Sequence, residues 1–114
     1  MRHLLIVEDS ALLAMDVELA AVDLGLERVS IAPDIGQALQ LLETEKIDAA
    51  LIDFFLGSED GRLVAERLSG LGIPFALMTG TGDLEWLRAQ LPGVPILTKP
   101  FTHGQLAGML EQLC

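Results

Sequence analysis

Five short apolar runs punctuate the chain. His3-Leu4-Leu5-Ile6-Val7 is the first, and Glu8-Asp9 ends it. Val29-Ser30-Ile31 is the second. Ala49-Ala50-Leu51-Ile52 is the third and ends on Asp53. Ile73 to Met78 is the fourth and ends at Thr79; Val94 to Thr98 is the fifth and ends at Lys99. Runs this short, with almost no polar alternation, predict strands covered on both faces, as in a parallel sheet. Pro95 lies inside the fifth run, which predicts an edge strand.

Between the runs the spacing turns helical. Ser10 to Leu24 reads as a helix stopped by Gly25. Asp34 caps a helix from Ile35 to about Glu45, with Ala38, Leu39, Leu41 and Leu42 inward. Gly61 to Leu71 is a third helix, with Leu63, Val64, Leu68 and Leu71 apolar and Gly72 as its stop. Asp83 to Leu91 is a short fourth, bounded by Pro92-Gly93. Thr102-His103-Gly104-Gln105 is a capping box, and Leu106, Met109, Leu110 and Leu113 form the inner stripe of the last helix. The first helix has two apolar stripes. One is Leu13, Val17, Ala20, Leu24; the other is Leu12, Met15, Leu19, Val22. A sheet covers only part of such a surface, so the second stripe is expected to face outward. Strands alternating with helices, without repeat or linker, predict an α/β fold: a parallel sheet between two helical layers, joined by right-handed crossovers.

Composition narrows the class. The 114 residues fit one domain with one core, and 51% of them are hydrophobic. The net charge of −10, from 17 acids and 7 bases, argues against direct nucleic-acid binding, which needs a basic patch. No apolar run approaches the roughly 20 residues of a membrane span. Met1-Arg2-His3 leads straight into a strand with no cleavage site, which points to the cytoplasm. Cys114, the only cysteine, excludes an internal disulfide, and its terminal position favours an inert, frayed thiol.

The chemistry collects at the strand ends. In open α/β sheets, sites form beyond the carboxyl ends of the strands. Here those ends carry Glu8-Asp9, Asp53, Thr79 and Lys99. Three crowded carboxylates need protons or a cation to compensate them. An oxygen-only donor set suits Mg²⁺, which binds through a few carboxylates and keeps positions for water or phosphate. Thr79 can donate to a phosphoryl oxygen and Lys99 can neutralise one. Gly80-Thr81-Gly82 is not a dinucleotide loop, because Glu85 stands where the third glycine belongs.

With these residues in place, the chain resembles the receiver domain of two-component response regulators over essentially its whole length. The matching features are the acidic pair after strand one, Asp53 after strand three, Gly61 eight positions later, Thr79 after strand four and Lys99-Pro100-Phe101 after strand five. The resemblance implies a flavodoxin-like (βα)5 three-layer sandwich with strand order 2-1-3-4-5, residues 1–114 forming one receiver domain with no output domain. It implies that Asp53 accepts a phosphoryl group from phosphohistidine, and that Glu8, Asp9, Asp53 and the Phe55 carbonyl hold Mg²⁺ or Mn²⁺. Lys99 and Thr79 would bind the phosphoryl group, and Lys99-Pro100 would be a cis peptide. The implied partner is a sensor histidine kinase or histidine phosphotransfer protein, docking on Leu12, Met15, Leu19 and Val22, with a further protein downstream and no nucleic acid or membrane. Pro74-Phe75-Ala76-Leu77-Met78-Thr79-Gly80 is similar to the single-domain receivers with a Phe-Ala-Thr-Gly type motif, interrupted here by Leu77 and Met78.

Two positions depart from the family. Ile96 stands where a Tyr or Phe is common, so a ring-based switch cannot operate there, and Gly57 replaces a common proline. The expected role is a signalling domain and not a dedicated enzyme. One rival is a docking module independent of phosphate, which would not need the intact Asp53, acidic pair and Lys99. The other is an aspartate-nucleophile phosphohydrolase, which would want a second Asp where Phe55 stands. His3 and His103 read as surface or loop histidines. Phe54 and Phe55 read as loop packing in preference to a partner surface. Met15, Met78 and Met109 read as core or helix-surface filler.

Overall fold

β1 (His3–Val7) and β3 (Ala49–Asp53) are buried at every position. Both faces of these strands are covered, which is why their sequences carry almost no solvent-facing alternation. A computed structural model describes residues 2–56 and 59–114. In it β1 and β3 pair in parallel at the centre of a five-stranded sheet. β2 (Arg28–Ala32) flanks β1, and β6 (Phe75–Gly80) flanks β3, followed by β7 (Ile96–Lys99) at the far edge. The order β2-β1-β3-β6-β7 is the flavodoxin-like order that the resemblance implied. β4 (Phe55–Leu56) and β5 (Glu59–Asp60) form a separate antiparallel hairpin that the apolar pattern did not reveal. Gly57 lies outside the described residues.

Helices fill both faces. α1 (Ala11–Asp23) and α5 (His103–Leu113) cover one side, packing Val17, Ala20, Leu106 and Leu110 against Leu4, Ile6, Leu51 and Met78. α2 (Ile35–Thr44), α3 (Arg62–Leu71) and α4 (Leu84–Gln90) cover the other, where Ala38, Leu42, Val64, Leu68 and Leu87 meet Leu5, Ile52 and Leu77. Ser10 caps α1 by accepting from the Leu13 N–H, and Asp34 caps α2 through the Gln37 N–H at 2.8 Å. Thr102 and Gln105 make both bonds of the capping box. Gly72 ends α3 at φ 71°, a left-handed turn that favours glycine. No helix of the described residues is long and apolar enough to cross a membrane.

Several expectations need adjustment. β7 begins at Ile96, and Pro95 precedes it; the Pro95 carbonyl still accepts from Leu77 N–H at 2.9 Å, but proline has no N–H to offer a ladder. β6 runs on through Thr79 to Gly80, because its partner β7 extends to Lys99. α4 is shorter than predicted, since Thr81–Asp83 winds into a 3₁₀ turn before it. The buried face of α1 is Ala14, Val17, Ala20 and Ala21. Leu13 is only half-buried, and Leu24, beyond the last helical turn, is exposed. The small alanines let α1 approach the sheet closely. The second stripe, Leu12, Met15, Leu19 and Val22, does face outward.

His3 is the clearest correction. It is buried at the start of β1, where its Nδ1–H donates to the Lys46 carbonyl at 3.1 Å and its Nε2 meets the Ser30 hydroxyl at 2.7 Å. His103 is exposed at the start of α5. Cys114 is half-buried beside α5, and its N–H donates to the Leu110 carbonyl, so this end is packed and not frayed. Burial pushes its thiol above the ordinary range, which lowers the share of reactive thiolate. Met78 is core, Met109 is partly buried and Met15 is exposed.

Candidate functional site

Parallel pairing brings the carboxyl ends of β1, β3, β6 and β7 to one edge, and with them Glu8, Asp9, Asp53, Thr79 and Lys99. Asp53 pairs with Met78 in the register, and Thr79 with Thr98, one residue before Lys99. Lys99 Nζ donates to Asp53 Oδ2 and to Glu8 Oε1, at 2.9 Å each. The other oxygen of Glu8 accepts from the Ser10 N–H at 3.2 Å. Carboxylate oxygens of Glu8, Asp9 and Asp53 lie within 4.8 Å of one another. Glu8 and Asp53 are buried, and Asp9 is exposed. The Lys99-Pro100 peptide is cis, as the resemblance implied.

The charges do not balance. One ammonium faces three carboxyl groups. Glu8 is raised to about 7: burial lifts it most and the charge of Asp53 adds to that, while the Lys99 ammonium and the Ser10 N–H offset part of the rise. Burial draws Lys99 down, but its hydrogen bonds to Asp53 and Glu8 outweigh that and hold it above its usual range. A surplus of negative charge on oxygen atoms this close fits a hard dication, whose octahedral shell sets ligand oxygens roughly 3–4 Å apart. Thr79 is buried, and its Oγ1 is the one buried side-chain polar atom without a partner among the described residues. A buried hydroxyl without a partner costs stability, unless something that binds later supplies the partner.

Gly61 was singled out by the resemblance and the structure gives its reason; the aromatic group beside it was not legible beforehand. Gly61 is buried against the loop after Asp53. A Cβ there would lie 3.2 Å from Ile52 Cγ2 and 3.3 Å from Phe54 Cδ1, and the Gly61 N–H bonds the Phe54 carbonyl. A side chain there would crowd Ile52 and Phe54, so the packing favours glycine. Phe54 is fully buried in the core, while Phe55 is partly exposed. Both rings meet Trp86 of α4, with centroids at 6.1 and 6.0 Å, and the Arg62 guanidinium lies over Trp86. Of four Phe and one Trp in the chain, three gather beside the acidic edge. No local pattern signals this, because the residues lie on separate elements.

Known proteins share this fold. The response regulator receiver domain matches residues 4–111. The transcriptional regulatory protein PdtaR of Mycobacterium tuberculosis is 31% identical over 96% of this chain and 55% of its own length. The chain thus spans about half the length of the curated relatives it matches. The solution structure of SdrG from Sphingomonas melonis Fr1 superposes with a TM-score of 0.84 at 36% identity, covering 99% of this chain and 96% of that one. The response regulator PhyR from Brucella abortus superposes with a TM-score of 0.83 at 34% identity, over 97% of this chain and 46% of that one. The chain belongs to the response regulator receiver domain family of two-component systems.

Proposed function

We propose that residues 1–114 act as a receiver unit in which Asp53 is the phosphoacceptor. The observation that carries this reading is the ion pair from Lys99 to Asp53 and Glu8, set at the same sheet edge as the unpartnered Thr79 hydroxyl. Asp53 Oδ attacks the phosphorus of a phosphohistidine in line. The new O–P bond forms as the P–N bond breaks, and the imidazole leaves with its electron pair. Lys99 neutralises charge on the transferring group, and Thr79 Oγ1 donates to one of its oxygens. Mg²⁺ or Mn²⁺, held by Glu8, Asp9, Asp53 and the Phe55 carbonyl, supplies charge neutralisation and in-line alignment when bound. The product is a conformational signal in the cytoplasm and not a released metabolite, so the unit is no dedicated enzyme.

The donor is a sensor histidine kinase or a histidine phosphotransfer protein. It docks on Leu12, Met15, Leu19 and Val22 of α1, all exposed. The similarity to SdrG supports the single-domain branch. With Ile96 at the usual aromatic position, the signal leaves through residues 80–91, which reorder together as Thr79 turns toward the phosphoryl group. Trp86 lies in that unit.

Incubation with acetyl phosphate and Mg²⁺, followed by intact mass, tests the acceptor. One phosphoryl adduct is expected on the wild type and none on Asp53→Asn. Full labelling of Asp53→Asn would move the acceptor elsewhere.

A further inference from the structure

α1 has a second apolar face that the fold leaves open. Leu12, Met15, Leu19 and Val22 are 78%, 54%, 61% and 58% exposed, opposite the buried alanine face. Their spacing alternates three and four residues, the seam of a coiled coil, and at 3.6 residues per turn they project within roughly 80° of arc. Asp16 and Asp23 flank the seam on one side and Glu18 on the other; α1 contains no Lys or Arg. On the Asp16 side the seam opens into a groove of about 410 Å³ lined by Asp16, Leu19, Asp23, Phe101, His103 and Leu106. α5, across that groove, contributes no Lys or Arg either. Among the described residues Asp16, Glu18 and Asp23 make no ion pair, so both rails of the seam are acidic.

This charge pattern selects the occupant. A second copy of the chain would set acid against acid in either helix orientation, and like charges at flanking positions oppose pairing. A helix with basic flanks gains on both rails and is steered to the seam. We propose that the α1 seam receives an amphipathic helix of another protein, with an apolar face at coiled-coil spacing and Lys or Arg on both sides. Asp16, Glu18 and Asp23 select that helix and reject acidic-flanked helices and self-association. The inference rests on the docking role given to α1 above and supplies the partner's chemistry.

Two labelled peptides of about three heptads, with Leu at the seam positions and flanked by Lys in one and Glu in the other, serve as probes. Their anisotropy is followed on titration with the full chain. The Lys-flanked peptide should bind at least about tenfold tighter, with the gap narrowing in salt. Asp16→Lys with Asp23→Lys should reverse the order, and Leu19→Glu should remove binding. Glu43→Lys with Glu66→Lys makes the same change in net charge on exposed positions of α2 and α3, and should leave the order intact. Equal binding that still depends on Leu19 overturns the charge selection while the docking role of α1 stands. Binding that survives Leu19→Glu, or that follows the Glu43 and Glu66 changes, reflects general attraction to an acidic chain and overturns both, as does no binding by either peptide. A dimer in sedimentation that Leu19→Glu dissolves makes a second copy the occupant and overturns the proposal.

Discussion

At the amino edge of the sheet, His3 is buried with every polar atom engaged. Its ring meets Ser30 and Lys46, and its N–H donates to Asp48 Oδ2 at 2.8 Å. At the carboxyl edge, Glu8, Asp53 and Thr79 are buried too, but there one ammonium pairs with two of the three clustered carboxyl groups, and the Thr79 hydroxyl has no partner among the described residues. The same sheet thus holds a completed polar cluster at one end and an incomplete one at the other. A completed cluster adds rigidity and has nothing left to offer a ligand. An incomplete one costs stability in the free protein, and a bound group recovers that cost. Burial alone therefore does not mark a functional residue; unmet bonding capacity does.

Substitutions at the two edges test this contrast directly. The largest effect is expected from Asp53→Asn, which should abolish acid-labile phosphorylation while the melting temperature stays the same or rises, because it removes charge from a crowded site. A large stability loss would mean that Asp53 is structural, like His3. His3→Ala should do the reverse. It should cost roughly 2–4 kcal/mol in denaturant titration, by cavity and by orphaned partners. Stoichiometric labelling of the protein that remains folded should be unchanged. Asp9→Ala should weaken Mg²⁺ binding about tenfold or more, read by metal titration, with little change in stability, since Asp9 is exposed.

Thr79→Val should leave the stability of the free protein within about 1 kcal/mol of wild type, because it removes a hydroxyl that bonds nothing. It should also remove the change in Trp86 emission that beryllofluoride and Mg²⁺ produce in the wild type. A Trp86 spectrum that ignores the bound mimic in the wild type would rule out the route through residues 80–91. Asp34→Asn should have the smallest effect. Asp34 sits at the start of α2 and, unlike Asp53, spends its bonds on its own helix. The backbone and side-chain N–H groups of Gln37 hold its carboxyl below the ordinary range. Its contribution is present above the unfolded carboxylate value and is lost as pH falls through the lower folded value. The variant should melt about 1–3 °C lower at neutral pH, and the gap should close in acid below pH of about 4.

The acidic edge was readable because each of its residues ends an apolar run. Once the runs are strands of a parallel sheet, their ends must share an edge, and Glu8, Asp53, Thr79 and Lys99 follow. The capping residues Ser10, Asp34 and Thr102 were readable for a similar reason, since each acts on a backbone group within a few residues of itself. His3 was misread because its partners, Ser30 and Lys46, lie far along the chain, and no local pattern reports that a strand's first residue is covered. The aromatic group of Phe54, Phe55 and Trp86 was missed on the same ground. Which stripe of α1 faces outward was anticipated, but which residues seat it was not: Ala14 and Ala21 displaced Leu13 and Leu24 at the sheet.

The sequence by itself determined the order of elements, their caps and the common edge of the reactive side chains. Periodicity and strand ends are local properties, and local hydrogen bonding and burial enforce them. Only the tertiary structure decided which buried polar groups find partners. That depends on distances between residues far apart along the chain, such as Lys99 to Glu8 and His3 to Lys46. Whether a hydroxyl or a carboxylate is satisfied is a property of the packed sheet edge, and it is what separates the structural histidine from the proposed phosphoacceptor site.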